Sequence, residues 1–319
     1  MLTKEKLKSE PSVRRLPHVA ILGAGASKAA MFDGDRSGKI IPLLDDLPDI
    51  LSKDWKDLIR EAQPPQGNFE QQLLRIENSI ERYFQELQLP DHPTIYDYLV
   101  LGLRGNDIIA TFNWDPFLMQ AHMRNRDVAE LPDIRFLHGC VAFATCPEHD
   151  ILGCPQEVCP ECHRNLDQGR LFYPEEDKDY AKDSIIYRDW AVVTKKLQKA
   201  FHLTIFGYSG PATDYNARKL LLEGWIQTPT RNISHVEIID KKDKESLRKN
   251  WAEFIPFDHD MITQDFWSST IASWPRRTYE YKMAASRYGI PSELLGPFRT
   301  NSLHELQDYI SEIVEFENQ

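Results

Sequence analysis

Two short cysteine motifs are the part of the sequence best suited to binding a metal. Cys146-Pro-Glu-His149 and Cys159-Pro-Glu-Cys162 share one form, in which two residues separate a pair of ligand side chains. This spacing lets both side chains reach one zinc ion, and two such pairs make a tetrahedral site. Cys154 lies between the motifs and competes with His149 as the fourth ligand. We predict a zinc site at Cys146, Cys154, Cys159 and Cys162, with His149 as the alternative to Cys154. Free thiols are the other interpretation.

The predicted zinc ion has a structural role, because four protein ligands leave no open position for water or substrate. All five cysteines lie between Cys140 and Cys162. Cys140 is expected to be buried near a pocket rather than bound to metal. Residues 1–15 are charged and contain no apolar stretch of the kind that export signals carry. In a reducing compartment, clustered thiols favour metal binding over disulfides.

A glycine-rich turn follows the first apolar run of the chain. Residues 18–22 (HVAIL) lead directly into Gly23-Ala-Gly-Ala-Ser27. Glycines let the backbone approach a phosphate group closely, and a helix that follows offers free N–H groups. Residue 28 is lysine, so the full dinucleotide fingerprint is missing, and no Gly-Lys-Ser/Thr of a P-loop follows. The pattern predicts either a phosphate cradle or a tight turn whose glycines serve packing alone.

Three polar residues follow two further apolar runs. Asn113 and Asp115 come directly after residues 106–111, and His138 comes directly after residues 133–137. A histidine suits the role of general base near neutral pH, and an amide beside a carboxylate can orient a ligand. The alternative is structural, since Asn and Asp are common turn residues and a lone histidine often serves only as a hydrogen-bonding group.

These motifs depend on a regular framework to bring them together. Apolar runs predict strands at 18–22, 106–111, 133–137, 202–206 and 234–239. Helices are predicted at about 43–62, 69–87, 94–103, 187–199 and 213–227. The alternation of strands and helices predicts an α/β fold with a mainly parallel sheet. Open α/β sheets bind ligands beyond the carboxyl ends of their strands, where most of the unusual residues lie.

Composition and charge exclude several classes of protein. The 319 residues include 38 Lys+Arg against 49 Asp+Glu, so the net charge is −11, and 41% are hydrophobic, enough for a sizeable core. The acidic balance argues against direct binding of nucleic acid, which needs a basic face. No apolar run is long enough to predict a membrane span. We expect a cytoplasmic protein.

Several other charged or titratable residues stand alone in the sequence. His122, His202 and His235 have no motif around them and predict structural roles. Arg276 and Arg277 are most simply read as solvated surface charge.

Taken together, the motifs resemble those of one known family. Gly-Ala-Gly-Ala-Ser (23–27), Thr-Phe-Asn-Trp-Asp (111–115), Leu-His-Gly (137–139), Gly-Tyr-Ser (207–209) and a strand ending at Asp240 occur in the order and spacing of the sirtuin fold. The resemblance covers about residues 18–242, and the first three motifs are its specific parts. It implies a Rossmann-like parallel sheet with helices on both faces and a small zinc module inserted at about 140–170. A lead-in at 1–17 and a C-terminal helical extension at 243–319 flank this domain.

Sirtuins bind NAD and cleave the bond between nicotinamide and ribose, so the resemblance implies roles for the matching residues. Asn113 would orient the ribose and the attacking group, Asp115 would contact the nicotinamide carboxamide, and His138 would be the general base. The turn formed by Gly23, Ala24, Gly25, Ala26 and Ser27 would hold the pyrophosphate. Further cofactor contacts are implied for Phe112, Gly207, Ser209 and Asp240, of which Ser209 and Asp240 would line the adenosine half.

Two departures from the deacylase pattern shape the functional prediction. Sirtuin deacylases carry Gly-Ile-Pro-Asp-Phe-Arg where this chain has residues 31–38 (MFDGDRSG), and Gln where it has Phe112. The chain looks more like the bacterial sirtuin-like domains that hydrolyse NAD+ in antiphage defence, with water as the nucleophile. An NAD+ hydrolase with a structural Zn²⁺ is therefore predicted. The alternatives are an NAD-dependent protein deacylase and a non-catalytic sensor of NAD or ADP-ribose.

The resemblance also bears on partners. It implies a homo-oligomer that is activated by a separate protein, for which an ATPase or an Argonaute-like protein would fit the family.

Overall fold

A six-stranded parallel sheet forms the centre of the fold. The structure, a computed structural model, describes residues 16–43, 46, 69–149, 151–169, 171–172, 180, 183–210, 214–227, 234–255, 260–280 and 298–318. In these ranges the strands are β1 (His18–Leu22), β2 (Ile108–Thr111), β3 (Asp133–Phe136), β4 (Ala144–Cys146), β5 (Ile151–Gly153), β6 (Asp167–Gln168), β7 (His202–Phe206), β8 (His235–Ile239) and β9 (Asp260–Thr263). The central sheet has the order β3-β2-β1-β7-β8-β9, and all its neighbouring pairs are parallel.

The order of the strands reverses at β1. The chain first builds outward on one side of β1 through β2 and β3, then returns to pair β7 with the other side. In open α/β sheets such a switch point leaves a crevice beyond the carboxyl ends of the strands, where ligands bind. The five strands predicted from the sequence are confirmed, with ends that differ by at most two residues.

Helices cover both faces of the central sheet. In chain order they are α1 (Ala24–Ala30), α2 (Phe69–Gln85), α3 (Ile95–Gly102), α4 (Phe117–Asn125), α5 (Ser184–Leu197), α6 (Tyr215–Ile226), α7 (Lys244–Asn250), α8 (Thr270–Ser273) and α9 (Leu303–Asn318). None of the helices in the described ranges is long and apolar enough to cross a membrane. The predicted helix at about 43–62 lies almost entirely outside the described residues.

Alternate residues of each strand supply two separate cores. In β1, Ala20 and Leu22 belong to a core shared with α3, α4 and α9, whereas Val19 and Ile21 belong to a core shared with α5 and α6. Successive side chains of a strand point to opposite faces, so a strand that is covered on both faces reads as one continuous apolar run. The α/β prediction from such runs is confirmed.

Residues 144–168 form a small antiparallel sheet of order β5-β4-β6, inserted between β3 and α5. β4 pairs with β5 on one side and with β6 on the other. Its own small core contains Cys146 and Cys159 together with Leu166. The insertion is therefore a separate packing unit, which suits the predicted zinc module.

The C-terminal segment differs from the expected helical extension. Residues 260–263 form β9, the sixth strand of the central sheet, paired with β8. This four-residue strand offers too short an apolar run to predict from the sequence. The prediction that Arg276 and Arg277 are solvated surface charges is also wrong. Their exposed fractions are only 5% and 3%. Their guanidinium groups donate to the carbonyls of Leu103 and Leu16 below the amino ends of the strands.

Candidate functional site

The glycine turn after β1 touches the turn after β7 backbone to backbone. The Gly23 N–H donates to the Phe206 carbonyl, and the Gly25 N–H donates to the Gly207 carbonyl, both at 3.0 Å. A Cβ on Gly25 would lie 2.9 Å from Gly207 Cα, and one on Gly207, whose φ is +62°, would lie 2.2 Å from the Ala26 nitrogen. Only glycine allows this approach. Packing alone therefore requires these glycines, and they lie at the switch point of the sheet.

Ser27 is the centre of a buried hydrogen-bond network, formed by Ser27, Tyr96, Asn113 and Asp115 and called here the polar network. The Ser27 hydroxyl donates to Asp115 Oδ2 at 2.6 Å and accepts from Asn113 Nδ2 at 2.8 Å. The Tyr96 hydroxyl lies 2.7 Å from it. When Tyr96 donates, these three neighbours use the single proton and both lone pairs of Ser27. The fold thus brings three residues predicted from the sequence into direct contact.

The Asn113 side chain is held through its nitrogen alone. Nδ2 also donates to the Gly23 carbonyl at 3.0 Å, and since a carbonyl only accepts, this bond fixes which end of the amide is nitrogen. Oδ1 is buried and has no hydrogen-bond partner. Leaving such an acceptor unsatisfied costs about 1–3 kcal/mol. A hydroxyl or N–H group of a bound ligand would satisfy it.

Asp115 is a buried carboxylate with few donors around it. Oδ2 accepts from Ser27, and Oδ1 accepts from the Phe117 N–H at 3.3 Å. Burial raises the pKa of Asp115 from 3.8 to about 6, although both hydrogen bonds oppose the rise. The group is therefore ionised at neutral pH and presents negative charge in a site of low dielectric.

His138 lies in a second cluster, formed by Phe112, His138, Tyr180, Tyr208 and Asp214 and called here the histidine cage. His138 Nε2 is 3.0 Å from the Tyr180 hydroxyl and 4.0 Å from Asp214 Oδ1. The Phe112 ring meets His138 edge to face at 4.7 Å and stacks on Tyr208 at 4.2 Å between ring centroids. The Tyr208 hydroxyl donates to Asp214 Oδ2 at 3.4 Å. All five side chains are buried.

The polar network and the histidine cage lie on opposite sides of the segment that follows β2. Phe112 packs into the core shared with α5 and α6, whereas Asn113 points to Tyr96, which belongs to the other core. Adjacent residues of an extended segment point in opposite directions, so Phe112-Asn113 serves both clusters. Both clusters therefore lie at the carboxyl edge of the sheet.

The residues predicted to line the adenosine half follow β7 and β8, across the switch point. Ser209 is exposed, and its carbonyl accepts from Asn250 Nδ2 at 3.0 Å. Asp240 is partly buried, and its Oδ1 accepts from the Lys242 N–H at 2.9 Å. In the glycine turn, Ala24 is exposed and Ala26 is buried. The ligand contacts of these four residues remain predictions.

Three thiols and one imidazole converge in the inserted sheet. Cys146, His149, Cys159 and Cys162 each place a ligand atom so that all four lie within 4.8 Å of one another. The Cys146–Cys162 sulfur distance is 3.7 Å, and His149 Nδ1 lies 3.4 and 3.6 Å from the sulfurs of Cys146 and Cys159. A tetrahedral site with Zn–S bonds of 2.3 Å places sulfurs about 3.8 Å apart. The cluster thus fits a zinc ion.

The choice of Cys154 over His149 as fourth ligand is wrong for this geometry. Cys154 is exposed and lies outside the cluster. In the antiparallel β4–β5 pair, Cys146 is opposite Ile151 and Ala144 is opposite Gly153. Cys154 therefore follows the far end of the hairpin, roughly 10 Å of strand away from Cys146.

Four residues of the two clusters were missed by the sequence analysis: Tyr96, Tyr180, Tyr208 and Asp214. Tyr96 lies in a predicted helix, where one tyrosine gives no sign of the face that it occupies. Tyr180 and Asp214 lie 42 and 76 positions from His138 in the sequence. Tyr208 belongs to the quoted Gly-Tyr-Ser motif, which was the one available signal. Cys140 is buried as expected, and its thiol donates to the Asp115 carbonyl at 3.4 Å.

Comparison with known proteins gives structural likenesses only. No family model matches the chain, and no curated protein matches it. Among solved structures it is similar to a Sir2 homologue in complex with NAD, at 12% identity and a TM-score of 0.42, covering 91% of this chain and 96% of that one. It is also similar to a mutant Sir2 homologue bound to ADP-ribose, at 12% identity and a TM-score of 0.44, covering 89% and 98%. A third similar structure is a Sir2 enzyme, at 14% identity and a TM-score of 0.44, covering 89% of this chain and 100% of that one.

The solved structures similar to this chain are thus Sir2 homologues, some of them with NAD or ADP-ribose bound. The α/β class of the chain rests on its own parallel sheet, and the chemistry of the site rests on its own residues.

Proposed function

We propose that this protein hydrolyses NAD+ at the nicotinamide–ribose bond, giving nicotinamide and ADP-ribose. The observation that carries the proposal is the buried Asn113 Oδ1, which has no hydrogen-bond partner while the nitrogen of the same amide is fixed by Ser27 and Gly23. An acceptor held in this way suits a ribose hydroxyl or an attacking water. The order of the sirtuin motifs along the chain supports NAD+ as the ligand.

In this reaction the leaving group needs little catalytic assistance. The bond that breaks joins the ribose carbon to a positively charged pyridinium nitrogen, and its electron pair leaves with nicotinamide, which becomes neutral. The site must instead stabilise an oxocarbenium-like centre and hold the nucleophile in position. The Asp115 carboxylate, ionised above about pH 6, supplies negative charge for this purpose. His138 takes the proton that the attacking water loses.

A zinc ion would serve structure rather than catalysis in this proposal. Cys146, His149, Cys159 and Cys162 would hold it, and four protein ligands leave no position for substrate. The N–H of Arg164 helps to lower the pKa of the Cys162 thiol to about 6, which favours the thiolate form that binds metals.

Product analysis tests the proposal. Purified protein is incubated with NAD+, with and without an acetylated peptide, and free nicotinamide and ADP-ribose are measured. We expect equal amounts of both products without peptide, and a loss of at least about 100-fold in rate for Asn113→Ala. Asn106→Ala, at the opposite edge of the sheet, is the matched control and should keep the rate.

Two other outcomes identify the alternative functions. Release that requires the acetylated peptide would identify a deacylase. Tight binding of NAD+ with no turnover, in the presence of extract from phage-infected cells as well as alone, would identify a sensor. The extract is included because an effector of this kind needs an activating signal.

The cellular role that we propose is depletion of NAD+ in the bacterial cytoplasm during phage infection. The protein would act as a homo-oligomer and respond to a separate activating protein, such as an ATPase or an Argonaute-like protein. Measuring NAD+ in infected cells that express wild-type protein or Asn113→Ala tests this role. A fall in NAD+ of the same size in both would contradict it.

A further inference from the structure

His138 faces a hydroxyl group and a carboxyl group that come from distant parts of the chain. Its Nε2 atom is 3.0 Å from the Tyr180 hydroxyl and 4.0 Å from Asp214 Oδ1. Tyr208 donates to the other oxygen of Asp214 at 3.4 Å, and so aligns the carboxylate beside the imidazole. The side chains of His138 and Asp214 are 7% and 9% exposed, so solvent screens their interaction only weakly.

The two tyrosines of the cage are neutral hydroxyl groups. Burial, together with the charge of Asp214, raises the pKa of Tyr180 and of Tyr208 far above their ordinary value. Neither tyrosine therefore brings negative charge to the imidazole, and the carboxyl group of the cage is that of Asp214. Arg218 is a cation near this cluster, and it lowers the pKa of Tyr208 against the other effects.

A hydroxyl and a carboxylate affect a neutral imidazole differently. The Tyr180 hydroxyl can donate to a bare Nε2 or accept from an Nε2–H, so on its own it does not select a tautomer. A carboxylate only accepts, and its charge favours a proton on the nitrogen that faces it. In the histidine cage, that nitrogen is Nε2.

We propose that Asp214 is a positioning residue for His138, which keeps a proton on Nε2 so that Nδ1 is the basic nitrogen. The catalytic meaning of this inference rests on the proposed NAD+ hydrolysis, whereas the pairing of the two side chains does not. In the reaction, the bond from the ribose carbon to nicotinamide breaks and its electron pair leaves with nicotinamide. The water oxygen forms a bond to the same carbon and loses one proton to Nδ1. The resulting imidazolium keeps its Nε2 proton, is stabilised by Asp214, and later releases the Nδ1 proton to solvent.

Nitrogen NMR of the full protein reads the tautomer without any need for activity. Histidine is labelled with ¹⁵N, the two ring nitrogens are distinguished by their couplings to the ring protons at pH 8, and His138→Gln assigns the signal. We expect the Nε2–H tautomer in the wild-type protein. Finding the Nδ1–H tautomer in the wild-type protein would overturn the proposal, whatever the variants do.

Matched variants separate the carboxylate from the hydroxyl. Asp214→Asn keeps the shape and removes the charge, so the Nδ1–H tautomer should appear. Tyr180→Phe keeps the ring stack and removes the hydroxyl, so the Nε2–H tautomer should remain. Asp133→Asn, at the amino end of β3, is the control and should leave both spectrum and rate unchanged. An unaltered His138 tautomer in Asp214→Asn would also overturn the proposal.

Kinetics then connect the pairing to the reaction. For Asp214→Asn we expect kcat of nicotinamide release to fall about 10²- to 10⁴-fold, with KM changed less than about threefold. A purely structural role would instead lower the melting temperature and leave the tautomer unchanged. If the wild-type protein proves not to hydrolyse NAD+, the proposed function fails, and the NMR result still decides the pairing.

Discussion

Burial of polar atoms at the carboxyl edge of the sheet costs free energy of folding, and the arrangement of these atoms indicates a binding function. Asn113 and Asp115 are only 7% and 3% exposed. Ser27, Tyr96 and the Gly23 carbonyl satisfy the donors of this group, yet one acceptor, Asn113 Oδ1, is left without a partner. A network built only for stability would have no reason to retain that loss. Binding of a ligand with a donor group is the physical explanation that we favour.

We predict that acid changes the proposed NAD+ hydrolysis and the stability of the fold in opposite directions through Asp115. Its pKa rises from 3.8 in the unfolded chain to about 6 in the folded protein, so the folded state binds the proton more tightly. As pH falls from about 6 to 4, protonation of Asp115 therefore raises the free energy of unfolding by up to about 3 kcal/mol. Over the same range, nicotinamide release should fall, because the site loses its negative charge.

Initial rates between pH 5 and 8 and urea unfolding at pH 5 and 7 measure the two effects of Asp115. The control is Asp115→Asn, which should be more stable than wild type at pH 7 by a margin that shrinks at pH 5. A margin that is the same at both pH values would show that Asp115 does not titrate in this window.

At the scale of elements, the register of the β4–β5 hairpin decides whether His149 or Cys154 is the fourth ligand in the zinc module. Cys-x-x-His and Cys-x-x-Cys spacing predicted that each pair reaches one ion, and the positions of Cys146, Cys159 and Cys162 agree. The spacing could not choose between His149 and Cys154, because both are close to Cys146 along the chain. The antiparallel β4–β5 pair separates Cys154 from the cluster, while the turn after β4 carries His149 back to it.

Substitution of the two neighbouring histidines tests the ligand set. His149→Asn should lower bound zinc to well below one equivalent and lower the melting temperature, because a structural zinc ion contributes directly to folding. His163→Asn should do neither: this residue is exposed, and its φ of +56° suits asparagine. Cys154→Ala should also keep full zinc content. Zinc is measured by metal analysis after gel filtration, and its loss in Cys154→Ala instead of His149→Asn would reverse our assignment.

The sheet also groups residues that look isolated in the sequence. His18, His202 and His235 begin three adjacent strands in matched register. Their rings lie side by side, tilted in the first pair and edge to face in the second, with centroids 5.3 and 5.8 Å apart. Apolar runs predicted each strand, but only the order β1-β7-β8 makes neighbours of the three histidines. Strand order is a tertiary property, and a single sequence carries no direct signal of it. The same limit explains why Tyr180 and Asp214 were not foreseen beside His138.

At the scale of the whole molecule, the C-terminal segment belongs to the α/β unit. β9 completes the sheet, and Ile310 and Ile313 of α9 join the core that contains β1 and α3. Composition predicted helices here and solvated arginines, since a pair of arginines is on average a surface feature. What composition could not show is that two carboxylates, Glu280 and Glu317, would lie beside them with side chains only 10% and 12% exposed.

Arg276 fastens α9 to the amino edge of the sheet. Its guanidinium pairs with Glu317 at 2.8 Å and donates to the Leu103 carbonyl at 3.0 Å, while its own carbonyl accepts from Arg104 Nε at 2.9 Å. In Arg276→Gln, Glu317 keeps Arg104 as a second cation at 3.5 Å, so the free energy of unfolding should fall by about 1.5–3 kcal/mol, the range for loss of a hydrogen bond to a charged group. Arg36→Gln, in an exposed pair with Asp91, is the matched control and should cost less than about 1 kcal/mol.

Urea unfolding also tells whether α9 unfolds together with the sheet. A double variant separates the effect of an unpaired charge from the effect of losing contacts of the helix. Arg276→Gln with Glu317→Gln removes both charges, so it should recover part of the stability lost in the single variant. Wild-type unfolding should be a single transition by both far-UV circular dichroism and tryptophan fluorescence, because α9 shares its core with the sheet. If the losses of stability from the two single substitutions simply add in the double variant, and unfolding shows two separate transitions, Arg276 does not fasten α9 to the sheet. The helix would then be an appended element, and the carboxyl edge of the sheet would not depend on it.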